Sequence, residues 1–204
     1  MKQIKIHRNS QKRFYSKDKI YFITANTNQR FPFFKEDLFC ELFIENLKLS
    51  KQLKNFKLFA FTIIWDHVHL LLKPIDKFDI SQIMQLLKKS FSRDFNNLIN
   101  FANNEGEIHE SRLQGKQYSF YKNQTYIVPE YKKYIIQIEK FKNISPFKWQ
   151  QSFHDHVIRN EKDFIKHLHY IIFNCVKHGV CEDEEEYRWS SINSEFSYFI
   201  DDWQ

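Results

Sequence analysis

Two histidines stand two positions apart inside one of the most apolar stretches of the chain, FTIIWDHVHLLLKP at residues 61–74. In a β-strand, residues two apart point to the same face, so His67 and His69 would project side by side. Val68 and Leu70 would point the other way, into the core. Two neutral imidazoles at this spacing can bind one divalent cation. The spacing alone does not decide for a metal site, because half-exposed histidines on an open sheet face are common.

A tyrosine near the C-terminus is the second group that could do chemistry. Residues 160–178 have the apolar spacing of a helix, and Tyr170 falls nearly opposite the centre of the apolar arc. Asn174, Lys166 and Lys177 share that polar side of the helix. A phenol, an amide and two ammonium groups on one face are suited to binding a phosphate. An exposed tyrosine is also ordinary on a helix surface, so the helix alone leaves both interpretations open.

Strands and helices elsewhere in the chain must position these groups. Residues 19–27, 57–64 and 67–73 are rich in β-branched and aromatic residues and are predicted strands, the last two joined by a tight break. Residues 36–50 and 79–98 place apolar side chains at helical spacing. The order strand, helix, strand, strand, helix favours an α+β fold in which an antiparallel sheet carries helices on one face.

Composition and charge limit the classes of partner. The chain has 204 residues, of which 42% are hydrophobic, which is enough for one packed domain. Its formal charge of +6 suits a polyanion such as nucleic acid. No uncharged apolar stretch reaches the length of a membrane span, so no membrane partner is expected. Three cysteines without framework spacing favour a reduced, cytoplasmic setting.

Three segments in this order resemble a known family. WDHVHLLLKP, then WQQSFHDHVIRNEKDFIKHLHYIIFNCVKHGV, then YRWSS are similar to the REP-associated tyrosine transposases, relatives of the single-tyrosine HUH transposases of small insertion sequences. YFITANTNQRFPFF and LLKKSFS fit the same pattern, so the resemblance covers about residues 19–98 and 147–192. It implies a ferredoxin-like (RRM-like) domain over 1–204, with the HUH strand central in the sheet and the catalytic tyrosine on a late helix. Residues 99–145 have no counterpart and are predicted as an insertion.

The resemblance also implies a role for each matching residue. His67 and His69 would bind Mg²⁺ or Mn²⁺, and Tyr170 would be the nucleophile. Asn174 would be a polar third ligand, and the DHVIRN block at 155–160 would combine a structural role with DNA contact. The basic residues expected to bind DNA are Arg30, Lys88, Lys89, Arg93, Arg159, Lys166 and Lys177.

The sequence departs from the family pattern in two places. The usual Asn-Pro-Val-Lys after the tyrosine is replaced by Asn-Cys-Val-Lys at 174–177, and loss of the proline predicts a more regular helix. Trp65 and Asp66 replace a more usual Pro-Asn before the first histidine.

Together these residues predict a metal-dependent enzyme that cleaves and transfers single-stranded DNA. A phenol, with a pKa of about 10, is a weak nucleophile at neutral pH, and a divalent ion would polarise the scissile phosphate. Attack by Tyr170 would leave a 5′-phosphotyrosine and a free 3′-OH, and the covalent link conserves the bond for strand transfer. The expected partner is single-stranded or hairpin DNA, in the cytoplasm and at the nucleoid. The sequence leaves open whether the protein is a monomer or a homodimer.

Three alternatives stand beside this interpretation. The protein could be a domesticated module that binds hairpin DNA without cutting it. Cys175, His178 and Cys181 have a C-x₂-H-x₂-C spacing acceptable to zinc, although Cys175 lies on the apolar helix face and no fourth ligand is evident. Tyr187 or one of the tyrosines of the insertion is the next candidate nucleophile if Tyr170 is not the one.

Overall fold

A computed structural model describes residues 16, 18–103 and 144–203. Within these residues, four strands form one sheet, β1 (Tyr21–Asn26), β2 (Phe56–Ile64), β3 (His67–Pro74) and β4 (His154–Val157). The same part of the chain has four helices, α1 (Asp37–Lys54), α2 (Ile80–Asn103), α3 (Glu161–Ile172) and the single turn α4 (Asn174–Lys177). Short 3₁₀ helices occur at Asn28–Arg30, Phe33–Lys35 and Ser194–Phe199.

The strand order across the sheet is β2-β3-β1-β4, and every neighbouring pair is antiparallel. Together with the chain order β1-α1-β2-β3-α2-β4 this is the split βαβ arrangement of ferredoxin-like domains. The predicted α+β class is therefore confirmed, and β3, the strand that carries the two histidines, is central in the sheet. Its hairpin with β2 turns at Trp65 and Asp66, as the sequence predicts.

Helices α1 and α2 cover one face of the sheet. Val68, Leu70 and Leu72 of β3 are fully buried and pack in one cluster with the apolar faces of these two helices. Leu71 points to the opposite face, where it packs with Phe164 of α3 in a second, smaller cluster. The predicted placement of helices on one face thus holds for α1 and α2, while α3 adds a third layer over the face that carries the histidines.

Two elements were not expected from the sequence. Strand β4 pairs with β1 at the sheet edge, but it has four residues and a polar pattern, HDHV, that gives no strand signal. The other sheet edge, β2, is covered by the C-terminal segment, because Trp189 O accepts from Ile63 N and Leu58 O accepts from Asp201 N. A covered edge strand is protected from pairing with other chains.

Helix α2 continues through Asn103, into the segment predicted as an insertion. Residues 104–143, which make up most of that segment, lie outside the described residues, so the insertion stays a prediction. In the part of the chain that the structure covers, every helix is too short or too polar to span a bilayer.

Candidate active site

The histidine pair lies side by side on β3. The centroids of the His67 and His69 rings are 4.8 Å apart, with the ring planes nearly perpendicular. Both side chains are buried beneath α3, each with 3% of its surface exposed. The neighbouring strands fix their positions, since His69 pairs in register with Thr24 of β1 and Thr62 of β2.

Each imidazole is oriented by a hydrogen bond at Nδ1. The Nδ1–H group of His67 donates to Asp66 Oδ1 at 2.6 Å, and His69 Nδ1 is hydrogen-bonded to Thr24 Oγ1 at 2.8 Å. A carboxylate on Nδ1–H places the lone pair of His67 on Nε2. Sequence reasoning had noted Asp66 as a departure from the family pattern but had given neither Asp66 nor Thr24 a role.

Burial favours the neutral form of both imidazoles. Desolvation lowers the pKa of His67, partly opposed by the hydrogen bond to Asp66. Desolvation, assisted by the neighbouring His67, holds the pKa of His69 well below its ordinary value. Two neutral imidazoles close together are the form of histidine that binds metal ions.

Seven buried side-chain polar atoms lack a hydrogen-bond partner within the described residues, and three of them belong to predicted metal ligands. These three are His69 Nε2 and the two amide atoms of Asn174, Oδ1 and Nδ2. Asn174 is 1% exposed. Buried polar groups are almost always paired, so unpaired ones need an explanation. Imidazole nitrogens and amide oxygens are both donor types that a divalent cation accepts.

Tyr170 lies against His69 of its own chain. Its ring centroid is 5.2 Å from that of His69 and 5.6 Å from that of Phe22, with the rings in edge-to-face contact. Lys177 Nζ is 4.7 Å from the centre of the tyrosine ring. The side chain of Tyr170 is 37% exposed, so the phenol is accessible at the mouth of the site.

The helix that carries Tyr170 does not continue as predicted. Helix α3 ends at Ile172, and Asn174 starts a new turn after the exposed Phe173. The expectations that Asn174 shares the exposed side of Tyr170, and that Cys175 makes the helix more regular, are therefore wrong. Ile171, before the break, belongs to the small cluster under α3, and Cys175, after it, belongs to the main core cluster.

Two of the predicted basic residues lie at the site, and two more flank it. Lys177 contacts the ring of Tyr170, and Arg30 forms an ion pair with Asp66 at 3.3 Å. Arg159 and Lys166 are exposed just before and on α3.

The basic residues of α2 lie on the helix that packs against the opposite face of the sheet. Lys88 Nζ donates to Gln150 O at 2.8 Å and to Ser152 O at 3.1 Å, and burial lowers the pKa of Lys88 to about 8. Arg93 pairs with Asp94 at 2.8 Å. Lys89 is exposed. The structure therefore does not bring these three residues together with Tyr170, and it gives Lys88 a role in holding the segment at 150–152.

His178 is a further residue at the site. Its ring centroid lies 4.9 Å from that of His67, and its charge contributes to lowering the pKa of both strand histidines. The sequence had suggested His178 only as a zinc ligand with Cys175 and Cys181. In the described structure the donor atoms of these three residues do not converge within 4.8 Å, and Cys175 is buried in the core.

A second group of potential metal donors anchors α3 to β4. The carboxylate of Asp163 accepts from His156 Nε2–H at 2.9 Å and from Arg159 N–H at 3.0 Å, and it lies 3.1 Å from His167 Nδ1. The hydrogen bond from His156 is the main reason that the pKa of Asp163 is lowered. Asp163 N–H also donates to the N-cap Asn160. These hydrogen bonds account for the cluster without a metal ion and give the DHVIRN block a structural role.

The fold and the site together define a class of protein. A ferredoxin-like domain with a histidine pair on its central strand, facing a tyrosine on a late helix, is the architecture expected of a single-tyrosine HUH transposase. A sequence model described as "Transposase IS200 like" matches residues 16–138, more than half of the chain. The chain belongs to this family of IS200-like transposases. The match ends before α3 and so does not include Tyr170.

One related protein and one solved structure show which group of these transposases the chain resembles. A protein of Haemophilus influenzae (strain ATCC 51907 / DSM 11121 / KW20 / Rd), provisionally named a REP-associated tyrosine transposase, is 27% identical over 196 residues, which cover 94% of this chain and 91% of the relative. A solved structure of a REP-associated tyrosine transposase bound to a REP hairpin has a TM-score of 0.58 at 19% identity, covering 90% of this chain and 82% of that one. The latter likeness supports the fold, and the resemblance to REP-associated tyrosine transposases is confirmed.

Proposed function

We propose that this transposase is a metal-dependent single-stranded DNA endonuclease and strand transferase that recognises hairpin DNA and acts through a 5′-phosphotyrosine intermediate. The observation that carries the proposal is the contact of Tyr170 with His69, 5.2 Å between ring centroids, within one chain. The hairpin as partner is supported by the related structure, which is bound to a REP hairpin.

The metal ligands would be His67, His69 and Asn174. His69 Nε2 and the Asn174 amide are buried without partners in the described structure, and the Asp66 bond leaves the Nε2 lone pair of His67 available. Mg²⁺ or Mn²⁺ bound there would polarise the scissile phosphate and offset the charge that develops on its oxygens. Thr24 and Asp66 would keep the two imidazoles in the binding orientation.

The side chains of the protein would carry out the covalent step. The Oη atom of Tyr170 attacks phosphorus and forms the Oη–P bond, while the bond from phosphorus to the 3′-oxygen breaks. The phenol proton leaves to solvent at the exposed side of the ring, and the departing 3′-oxygen takes up a proton. Lys177, whose Nζ lies 4.7 Å from the centre of the Tyr170 ring, would place a positive charge beside the nucleophile and could contact the phosphate.

The DNA backbone would run over α3 and the hairpin turn between β2 and β3. Arg30, Arg159, Lys166 and Lys177 lie at or beside the site and would contact phosphates. Lys89 would be a more distant contact on α2. We further propose that the protein acts in the cytoplasm, at the nucleoid, in keeping with its three unpaired cysteines.

The experiment is a cleavage assay with a hairpin oligonucleotide that has a single-stranded flank and a label on the 3′ side of the cut. Wild type with Mg²⁺ or Mn²⁺ should give a labelled protein band that survives SDS, and EDTA should abolish it. His67→Ala should also give no band while still shifting the DNA on a native gel. His169→Ala, an exposed histidine on α3, is the matched control and should cleave normally.

Two results would count against the proposal. Full activity in EDTA would exclude metal dependence. No adduct with either metal and several flanking sequences, together with tight hairpin binding, would instead support a domesticated binding protein.

A further inference from the structure

A cleft opens next to the histidine pair, at the hairpin turn between β2 and β3. Its volume is about 340 Å³, within the range of sites for small organic ligands. The cleft is lined by Arg30, Pro32, Lys35, Ile64, Trp65, Asp66 and His178. Two of these residues touch the candidate active site directly, because Asp66 is hydrogen-bonded to His67 and the ring of His178 packs against it. A ligand in the cleft would therefore lie beside the scissile phosphate.

The walls of the cleft are held by hydrogen bonds between two turns. Thr27 donates to Asp66 O through its backbone N–H at 2.9 Å and its hydroxyl at 3.0 Å. Phe34 N–H donates to Trp65 O at 2.9 Å. Between these anchors, Gln29 and Arg30 both have left-handed backbones, with φ of 55° and 56°. Such conformations are unfavourable without glycine and are retained where the surroundings hold them, often at binding sites.

The cleft combines an aromatic surface with positive charge. Trp65 is 37% exposed at the tip of the β2–β3 hairpin, and Lys35 Nζ lies 4.6 Å from the centre of its ring. The side chain of Arg30 is 51% exposed and is held by Asp66. Aromatic rings that stack on bases, together with cations that contact the backbone, are how proteins bind single-stranded nucleic acid.

We propose that this cleft binds the unpaired nucleotide next to the scissile phosphate. The base stacks on Trp65, and the adjoining phosphates are contacted by Arg30 and Lys35. This inference rests on the proposed function, because it assumes that a DNA strand crosses the histidine site. It adds a subsite that distinguishes a hairpin with an unpaired flank from a bare hairpin.

Binding of two DNAs tests the subsite without requiring cleavage. One is the hairpin with its single-stranded flank, and the other is the same hairpin with the flank removed. Wild type should bind the flanked DNA more tightly, and Trp65→Ala should reduce this preference by about 5- to 150-fold, the equivalent of one lost base stack of about 1–3 kcal/mol. Trp65→Phe should retain most of the preference. Tyr198→Ala is the control, since Tyr198 is an exposed aromatic with a lysine above its ring but is not part of the cleft.

Two further measurements identify the nucleotide that stacks on Trp65 and test the phosphate contact of Lys35. 2-Aminopurine placed in turn along the flank should be quenched most at one position beside the cut, and Trp65→Ala should remove that quenching. Lys35→Gln should lower the slope of log affinity against log salt by about 0.7, the value for one contact to a single strand. Lys77→Gln, where the lysine lies over Phe78 outside the cleft, should leave the slope unchanged.

The outcomes separate this inference from the proposed function. If wild type forms the SDS-stable adduct but Trp65→Ala keeps the full preference for flanked DNA, the subsite is wrong and the cleavage function stands. If no adduct forms but Trp65→Ala loses the preference, the subsite stands and the cleavage function fails. An unstructured Trp65→Ala protein, detected by circular dichroism, would overturn the view that this side chain serves binding, and the Lys35→Gln slope would then decide the subsite.

Discussion

Asp66 is predicted to control metal binding although it is not itself a proposed ligand. Its Oδ1 atom lies 2.6 Å from His67 Nδ1, a contact that fixes the ring orientation and leaves Nε2 as the ligand atom. Removing such an outer partner of a metal-binding histidine costs about 10- to 100-fold in affinity, or about 1.4–2.7 kcal/mol. The side chain of Asp66 is 25% exposed, and water can partly replace it. We therefore expect Asp66→Ala to weaken Mn²⁺ binding by about tenfold, the lower end of that range.

The assay is calorimetric titration of Mn²⁺ into wild type, Asp66→Ala and Asp66→Asn. The asparagine variant keeps an acceptor oxygen near Nδ1 and should lie between the other two. Asp76→Asn is the control, an exposed carboxylate in the loop after β3. If Asp66→Ala binds Mn²⁺ as tightly as wild type while His67→Ala loses binding, the reasoning about orientation is refuted.

Three further predictions follow from the same geometry. Tyr187→Phe should destabilise the fold by about 1–3 kcal/mol in urea unfolding, because the buried hydroxyl donates to Ile63 O at 2.5 Å and its loss removes that hydrogen bond. As the control, Tyr170→Phe should change stability by less than about 0.5 kcal/mol. Mixing His67→Ala with Tyr170→Phe should not restore cleavage, because both groups meet within one chain, whereas recovery would show a tyrosine supplied by a partner. Burial, with a contribution from a neighbouring cysteine, raises the pKa of Cys181 to about 12. Alkylation of this thiol should therefore be very slow at pH 8 and should accelerate about tenfold per pH unit below the pKa. Fast labelling at pH 8 would contradict the prediction.

Periodicity predicted the elements whose burial follows a simple pattern. The strand carrying His67 alternates between two buried faces, and α2 has one continuous apolar face, so both are readable from local sequence. The start of α3 also has a local signal, because asparagine is a favoured N-cap residue and the side chain of Asn160 accepts from Asp163 N–H. The break at Phe173 was not readable, because the apolar spacing continues through it from Phe164 to Val176.

The candidate site was predictable only in part from local spacing. Strand spacing puts His67 and His69 side by side and helical phase puts Tyr170 off the apolar arc, while their roles came from the family resemblance. Thr24 could not be assigned, because its contact with His69 depends on strand register across 45 residues. Lys88 was misjudged for a related reason, since a helical pattern cannot show that carbonyls of a distant segment surround its ammonium group.

The identity of the nucleophile is the central claim, and mapping the DNA-linked peptide tests it most directly. The adduct formed by wild type would be digested with nuclease and trypsin, and the phosphorylated or nucleotide-bearing peptide identified by mass spectrometry. The modification should lie on Tyr170, in the tryptic peptide 167–177, and Tyr170→Phe should yield no modified peptide. A modification on Tyr187 or another tyrosine, or an undiminished adduct in Tyr170→Phe, would contradict the account.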